Sequence, residues 1–364
     1  MLSQSQIAQY LLHADLISAE SIVDGNVTIV EASRRNRNFK AISDTGPSYL
    51  LKQSASGTNG GTVAHESQVY RFLQSEPRNA SFRPHLPRYY HYDEEHGILI
   101  LELLRDAKDF RDYHTQLGHF PTTVAAELGR GLSALHCLPV TEDQTCPLFA
   151  NRLPWVLALH RPGLDLFRQV SHANLQLIRI IQNTPDFPQL LDGLRQEWRM
   201  NSLVHHDIKW DNCLVSRRAK STRTSAVTIV DWEFAALGDN CWDAGAIFSN
   251  YLSVWLFSIP VSGEEPPDRF LELAKYPLER MQPAIRAYWD AYARGMRLDA
   301  ADSEAHLLRA VKYAGARLLQ TGIEQMQYST HLSGNVICLL QLSLNIMHRP
   351  QEAIVHLLGI PLRP

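Results

Sequence analysis

The chain has 364 residues, more than one compact hydrophobic core usually contains, so two lobes are expected. With 45% hydrophobic and 20% charged residues the composition is globular, and a net charge of −3 indicates neither a nucleic acid nor an anionic membrane surface as a partner. The five cysteines include no CxxC pair, which argues against a zinc site and favours buried thiols in the cytoplasm over a disulfide framework.

The first hundred residues combine strands with helices. Apolar side chains at helical spacing predict an amphipathic helix over residues 3–20. Further predicted elements are strands over residues 27–32, 39–42, 49–52 and 97–104, and a helix over residues 63–73. These elements predict a small mixed N-lobe with an antiparallel sheet over residues 1–104.

Helices dominate from residue 105 onward. Thr122 is predicted to cap a helix whose apolar stripe includes Val124, Leu128 and Leu132. Further helices are predicted near residues 189–200, 243–257, 278–296, 303–325 and 335–347. The uncharged stretches 244–263 and 332–347 contain too many polar residues for a membrane span, so buried helices are expected there. Residues 105–364 are therefore predicted to form a larger, mainly helical C-lobe.

The most informative segment is LVHHDIKWDNCLV at residues 203–215, in which two apolar runs flank a polar turn. A second segment, TIVDWE at residues 228–233, is a short strand with Asp231 at its end. Asp207, with Asn212 five residues later and Asp231 beyond, supplies one candidate base and two oxygen ligands for magnesium. Each residue alone would be a turn or capping residue, but their order is what phosphoryl transfer requires.

Two charged residues of the predicted N-lobe complete the pattern. Lys52 ends the third predicted strand, and Glu66 lies in the first turn of the helix that follows. A lysine on such a strand contacts nucleotide phosphates when a carboxylate on the helix orients its ammonium group. Taken alone they would be an ordinary surface lysine and a solvated glutamate, but their position upstream of the main segment favours the functional interpretation.

These motifs resemble the aminoglycoside phosphotransferase and choline kinase-like family, the small-molecule branch of the protein-kinase-like fold. The pattern from His205 to Asn212 is similar to the catalytic loop of that family, and the triplet that begins at Asp231 to its metal-binding triplet. The segments LGRGLSALH at 128–136 and GDNCWDAG at 238–245 are also similar to family motifs. The resemblance implies an α+β, two-lobed protein-kinase-like fold.

The resemblance also implies roles for individual residues. Asp207 would be the catalytic base, Asn212 and Asp231 the Mg²⁺ ligands, and Asp243 a structural residue that fastens the catalytic loop. The implied nucleotide-binding residues are Lys52, Glu66, the Ser33 hydroxyl in the turn SRRNRN at 33–38, and the hinge residues Glu102 and Leu104.

Three features depart from the family pattern. The turn at residues 33–38 contains no glycine, so the phosphate contacts there differ from those of a glycine-rich loop. Lys209 resembles the lysine of protein serine/threonine kinases; it either stabilises the charge of the transition state or pairs with Asp207. Only eleven residues separate Asp231 from Asp243, too few for the activation segment of a protein kinase, which favours the small-molecule branch.

The sequence thus predicts a kinase that uses ATP and Mg²⁺ to phosphorylate a hydroxyl group of a small molecule, or of Ser/Thr in a peptide. The alternative is a pseudokinase-like module, nucleotide-responsive or nucleotide-free, that binds a peptide or a partner protein. The missing glycines favour this alternative. The presence of Lys52, Glu66, Asp207, Asn212 and Asp231 together argues against it.

Overall fold

The computed structural model describes residues 2–32, 37–54, 61–139, 148–150, 152–164, 170–217, 225–260 and 270–362. The chain divides into two compact units. The first comprises Met1–Phe110 and Asn212–Ala235, and the second comprises Arg111–Asp211 and Ala236–Pro364. The predicted domains of residues 1–104 and 105–364 placed residues 212–235 in the C-lobe. They group with the first unit because their strands pair with a strand that precedes Phe110.

The main sheet of the first unit has five strands in the order β1-β2-β3-β5-β4, all paired antiparallel. The strands are β1 Val27–Glu31, β2 Arg37–Ser43, β3 Tyr49–Gln53, β4 Tyr89–Asp93 and β5 Ile98–Glu102. The helices of this unit are α1 Gln4–His13, α2 Ala19–Val23 and α3 Gly61–Ser75. The predicted antiparallel N-terminal sheet is therefore confirmed.

The two faces of this sheet pack against different helices. One face forms a core with Ile7 and Leu11 of α1, and it includes Phe39, Leu51 and Ile100. Because side chains of a strand alternate between the two faces, Lys52 lies on the face opposite Leu51. That second face packs against α3, which contacts β4 and β5. The alternation thus directs Lys52 toward the helix that contains Glu66.

A smaller sheet of the first unit contains the end of the catalytic segment. Its strands are β6 Lys108–Asp109, β8 Cys213–Arg217 and β9 Ser225–Ile229, in the order β6-β8-β9. Strands β8 and β9 are antiparallel, with Cys213 opposite Ile229. The two strands form a hairpin, and residues 218–224 between them lie outside the described part of the chain. The hairpin brings Asn212 and Val230 to the same end.

The second unit is mainly helical. Its helices are α4 Phe110–Leu117 (which begins at the last residue of the first unit), α5 Thr122–His136, α6 His172–Asn183, α7 Asp186–Glu197, α8 Asn240–Phe257, α9 Leu278–Gly295, α10 Ala300–Gln325 and α11 Gly334–His348. A two-stranded antiparallel sheet joins β7 Ser202–Val204 to β10 Ala236–Gly238. Helix α5 begins at Thr122 after Pro121, so the prediction that Thr122 is the cap is wrong by one position.

Close packing of these helices depends on glycine at two positions. A Cβ atom on Gly129 of α5 would collide with the backbone carbonyl of Tyr288 on α9. A Cβ atom on Gly245 of α8 would collide with the carbonyl of Ala310 on α10. The absence of a side chain therefore allows α5 and α9, and α8 and α10, to approach backbone to backbone. Within the described part of the chain, no helix is both long and apolar enough to cross a membrane.

Candidate active site

The first unit contains a buried cluster of one lysine and two carboxylates. Lys52 Nζ donates to both side-chain oxygens of Glu66, at 2.8 and 3.0 Å, and to Asp231 Oδ1 at 2.7 Å. Glu66 is fully buried and Lys52 is 7% exposed, whereas a third of the Asp231 side chain remains accessible. The structure therefore brings together three of the residues selected from the sequence.

The charge of this cluster is unbalanced. Burial alone would lower the pKa of Lys52, but the carboxylates of Glu66 and Asp231 outweigh that effect and raise it above its usual value. Lys52 is accordingly a cation at all physiological pH values. One ammonium group facing two carboxylates leaves an excess of negative charge on the accessible side, at Asp231, where a cation is favoured.

Asp231 is held in an uncommon backbone conformation. Its φ of 72° is in the left-handed region, which residues other than glycine seldom adopt, although aspartate tolerates it better than most. The next residue fixes this turn, because the Trp232 backbone amide donates to Glu66 Oε1 at 3.2 Å and the Trp232 indole donates to the Ile229 carbonyl at 3.1 Å. The same glutamate thus anchors Lys52 and the backbone beside Asp231.

Asn212 and Asp231 suit a magnesium ion by their chemistry. The Val230 amide donates to the Asn212 carbonyl at 3.0 Å, so the two residues lie at the same end of the β8-β9 hairpin. Mg²⁺ prefers oxygen donors, and it is commonly held by one or two protein groups together with substrate phosphates. Over the described ranges, no group of three or more His, Cys, Asp and Glu side chains could hold a metal by itself. A carboxylate and an amide oxygen fit a magnesium ion that is shared with a nucleotide.

The structure says less about the nucleotide-binding roles predicted for Glu102, Leu104 and Ser33. Glu102 ends β5, and one of its carboxylate oxygens accepts a hydrogen bond from the Arg88 amide at 3.0 Å. The next amide, of Leu103, donates to the Ser48 carbonyl at 2.8 Å, and Leu104 follows the strand. Ser33 lies outside the described residues. The roles of Glu102, Leu104 and Ser33 remain predictions.

The second unit contains the catalytic loop that follows β7. The backbone amides of His205 and His206 donate to the two carboxylate oxygens of Asp243, at 2.6 and 3.1 Å. His206 has a φ of 67°, and the Asp207 amide donates to His205 Nδ1 at 3.3 Å. Asp243 therefore fastens the loop, as the family resemblance implied, and holds an unfavourable turn immediately before Asp207.

The carboxylate of Asp207 faces two cations within this unit. Lys209 Nζ donates to its Oδ2 atom at 2.7 Å, and an Nη atom of Arg317 lies 3.9 Å from Oδ1. Only 10% of the Asp207 side chain is exposed. Of the two roles considered for Lys209, the structure shows the pairing with Asp207. A carboxylate so placed is a side chain that can act as a general base toward an acceptor hydroxyl.

Asp243 depends on a buried network behind the loop. His136 on α5 contacts Asp243 Oδ2 through Nε2 at 3.5 Å, while its Nδ1 atom shares a hydrogen bond with the Tyr292 hydroxyl at 2.9 Å. Burial alone would raise the pKa of Asp243, but its hydrogen bond with His136 and the neighbouring histidines lower it below the usual value. Asp243 is therefore an anion that accepts hydrogen bonds from the loop.

Replacing Asp243 by asparagine is expected to lower the free energy of unfolding at neutral pH by about 3 kcal/mol, because two buried amides lose a charged acceptor. The folded pKa lies below the unfolded value of about 3.9. The ionised group thus stabilises the fold above that value, and this contribution is lost as the pH falls through the folded pKa. Urea unfolding at pH 7 and pH 3 measures both free energies. If the free energies of unfolding of wild type and variant differ by the same amount at pH 7 and at pH 3, the negative charge assigned to Asp243 is wrong.

Several residues that hold the loop gave no signal in the sequence. The Trp210 backbone amide donates to Asn250 Oδ1 at 3.1 Å, and the Trp210 ring packs against His114 and Tyr251. The Trp242 indole donates to the His206 carbonyl at 3.1 Å, and Arg317 contacts the same carbonyl. The sequence pointed to this network only through the segments that contain His136, Trp210 and Trp242.

Comparison with known proteins agrees with this geometry. The model of the phosphotransferase enzyme family matches residues 26–297, well over half of the chain. A choline/ethanolamine kinase family protein from Mesorhizobium loti is 16% identical, with a TM-score of 0.51 over 96% of each chain. The GDP complex of a mutant aminoglycoside 2'-phosphotransferase-IIIa is 12% identical, with a TM-score of 0.54 over 96% of this chain and 97% of that one. Amicoumacin kinase hAmiN, in complex with AMP-PNP, Ca²⁺ and Ami, is 14% identical, with a TM-score of 0.50 over 92% of this chain and 94% of that one.

None of the curated protein sequences compared with the chain matches it. At the identities given above, the solved structures establish a shared fold, and they confirm the predicted α+β kinase-like fold. The family match covers the predicted N-lobe from residue 26 onward, the catalytic loop and the Asp231 segment, and it confirms the expected class of enzyme. The chain belongs to the phosphotransferase enzyme family.

Proposed function

We propose that this phosphotransferase moves the γ-phosphoryl group of ATP to a hydroxyl group of a small molecule. The observation that carries the proposal is the cluster of Lys52, Glu66 and Asp231, because its members form an ion-paired set with one accessible carboxylate. A cation oriented by a buried glutamate is suited to bind phosphates, and an accessible aspartate is suited to bind their metal.

The first unit supplies the groups for the nucleotide. Lys52 is proposed to contact the phosphates of ATP, with its ammonium group oriented by Glu66. Asn212 and Asp231 are proposed to hold Mg²⁺, which, when bound, neutralises charge on the phosphates. Glu102, Leu104 and Ser33 are proposed to contact the rest of the nucleotide, as the family resemblance implies.

The second unit supplies the group for the acceptor. The acceptor oxygen attacks the γ-phosphorus, the bond from phosphorus to the β-γ bridging oxygen breaks, and its electron pair leaves with ADP. The proton of the acceptor hydroxyl passes to Asp207. Lys209 holds one oxygen of that carboxylate at 2.7 Å and thereby restricts rotation of the carboxylate group. Positioning and electrostatics supply most of the rate in such reactions.

A small molecule is favoured over a peptide as acceptor. Only eleven residues connect Asp231 to Asp243, and β10 and the start of α8 occupy part of that segment. This leaves no room for the long activation segment on which protein kinases bind their substrates. The solved structures that share the fold are named as kinases or phosphotransferases for choline or ethanolamine, an aminoglycoside and amicoumacin.

Transfer of label from γ-labelled ATP, with Mg²⁺, to a panel of acceptors tests the proposal. The panel contains choline, amino alcohols, aminoglycosides, sugars and Ser/Thr peptides, with Asp231→Asn as the blank. Label on a small molecule that disappears in the variant is the expected result, and label on peptides alone would overturn the acceptor class. If calorimetry detects no binding at millimolar ATP, the nucleotide-dependent function is wrong and the peptide-binding module takes its place.

A further inference from the structure

The carbonyl groups of the residues before and after Asp207 are held by an arginine that is distant in sequence. His206 adopts a left-handed conformation, which is unfavourable for a residue with a Cβ atom. This turn presents its amide to Asp243, and it turns its carbonyl toward the Trp242 indole and Arg317. The conformation persists because surrounding groups bind both polar atoms of the residue.

Arg317, on α10, binds the loop through both ends of its guanidinium group. Nη1 donates to the His206 carbonyl at 3.3 Å, and Nη2 donates to the Ile208 carbonyl at 2.9 Å. These are the carbonyl groups of the residues immediately before and after Asp207. The Asp207 carboxylate lies 3.9 Å from Nη2, so the fork spans the residue and also faces its charge.

The guanidinium group is itself held by neighbours on α10 and α8. Gln320, one turn later on α10, accepts from Nη1 at 2.9 Å and donates to Glu324 at 2.9 Å. The group lies over the Trp242 ring, 5.3 Å from its centroid, and only 6% of the Arg317 side chain is exposed. Three directional hydrogen bonds leave this planar group little freedom to rotate, which makes it a rigid support for the loop.

We infer that Arg317 is a positioning residue for phosphoryl transfer, which fixes the orientation of Asp207 by holding the carbonyl groups on either side of it. The inference rests on the proposed role of Asp207 as the base. A lysine at this position would keep a positive charge near Asp207 but could not reach two carbonyl groups in the same fixed geometry. Loss of the fork would therefore misorient the base while its electrostatic surrounding remains similar.

Arg309 offers a matched control on the same helix. Its side chain is also buried, with 9% exposed, and its Nε and Nη2 atoms lie 3.1 and 3.2 Å from the oxygens of Asp239, which caps α8. Replacing this arginine by lysine makes the same chemical change at a similar depth, at a residue bound to a helix cap. A general loss of packing would lower kcat in both variants, whereas loss of the catalytic-loop geometry would lower kcat only in Arg317→Lys.

The test measures kcat and KM for ATP and for the acceptor, with thermal unfolding of each variant. Arg317→Lys is expected to lower kcat by roughly 100-fold, the effect typical of a misplaced reacting group, with KM for ATP unchanged. Arg309→Lys is expected to keep kcat within a few-fold of wild type. A kcat for Arg317→Lys close to wild type, or an equal fall in both variants, would overturn the inference.

A second variant covers the case in which Arg317→Lys does not fold. Gln320→Leu leaves the arginine in place and removes the acceptor that orients Nη1, so a smaller fall in kcat at unchanged KM for ATP is expected. Wild-type kcat from this variant would then overturn the inference. Asp207→Asn separates this outcome from failure of the proposed function, because an active Asp207→Asn enzyme would refute the base itself, whatever Arg317 does.

Discussion

Replacing Asp207 by asparagine is expected to lower kcat by roughly 10²- to 10⁴-fold, the contribution usual for a general base, while ATP still binds. Asparagine has nearly the same shape as aspartate, but its amide cannot take a proton from an acceptor hydroxyl. The groups proposed to bind ATP belong to the first unit, and Asp207 belongs to the second. Nucleotide affinity should therefore change little.

The fold should also tolerate this substitution. The backbone of the loop is held through its amides and carbonyls by Asp243 and Arg317, and these contacts do not involve the Asp207 carboxylate. Lys209 loses its ion pair with the carboxylate, but a third of its side chain is exposed, so water can solvate the ammonium group. The melting temperature of the variant is expected to stay close to that of the wild type.

Steady-state kinetics with the acceptor found in the panel, calorimetric titration with ATP and thermal unfolding measure these three quantities. Asp211→Asn is the matched control, since Asp211 lies in the same loop and pairs with Arg111 at 2.9 Å on an exposed surface. Such a pair contributes little to stability, and the control should keep normal turnover. Turnover in Asp207→Asn equal to that of Asp211→Asn would remove Asp207 from the mechanism.

Short-range patterns in the sequence predicted most of the main sheet of the first unit and the helix α3 beside it. Lys52 and Glu66 are separated by only 14 residues, and the two-residue period of β3 determines which face the lysine occupies. The contact of Lys52 with Asp231 spans 179 residues, and no local rule predicts it. It could be anticipated only because the order of the motifs resembles that of a known family.

Elements that depend on tertiary contacts could not be predicted in the same way. Arg317 is separated from Ile208 by 109 residues and lies inside an ordinary amphipathic helix, so nothing in its sequence neighbourhood distinguishes it from Arg309. The helix predicted over residues 3–20 is interrupted at Asp15, which has a φ of 56° and separates α1 from α2. The spacing of hydrophobic residues along the sequence does not predict such a turn.

Two carboxylates that bind the same lysine are expected to respond differently to loss of their charge. Glu66→Gln should lower the free energy of unfolding by roughly 3 kcal/mol, because it removes one partner of a buried ion pair. Lys52 keeps Asp231 as a carboxylate partner, but its fully buried neighbour becomes an uncharged amide. The Trp232 amide also loses a charged acceptor. Asp231→Asn should change that free energy by less than about 1 kcal/mol, because a third of Asp231 is exposed.

Turnover is expected to show the opposite order at a temperature at which both variants are folded. Asp231→Asn removes a proposed magnesium ligand and should lower kcat by at least about 10³-fold, since it weakens the electrostatic stabilisation on which phosphoryl transfer mostly depends. Glu66→Gln leaves Lys52 in contact with Asp231 and should retain more activity, with a higher KM for ATP because the lysine is less well oriented.

Urea unfolding and magnesium-dependent turnover of the two variants, measured side by side, test these assignments. Glu31→Gln is the control, since Glu31 lies on β1 of the same unit and pairs with Arg37 at 3.2 Å, with 40% of its side chain exposed. This control should match wild type in both measurements. If Asp231→Asn proves the less stable variant and the more active one, the structural and metal-binding roles of the two carboxylates are reversed. Glu66 is buried away from solvent, so that result would require the cluster to rearrange when the nucleotide binds.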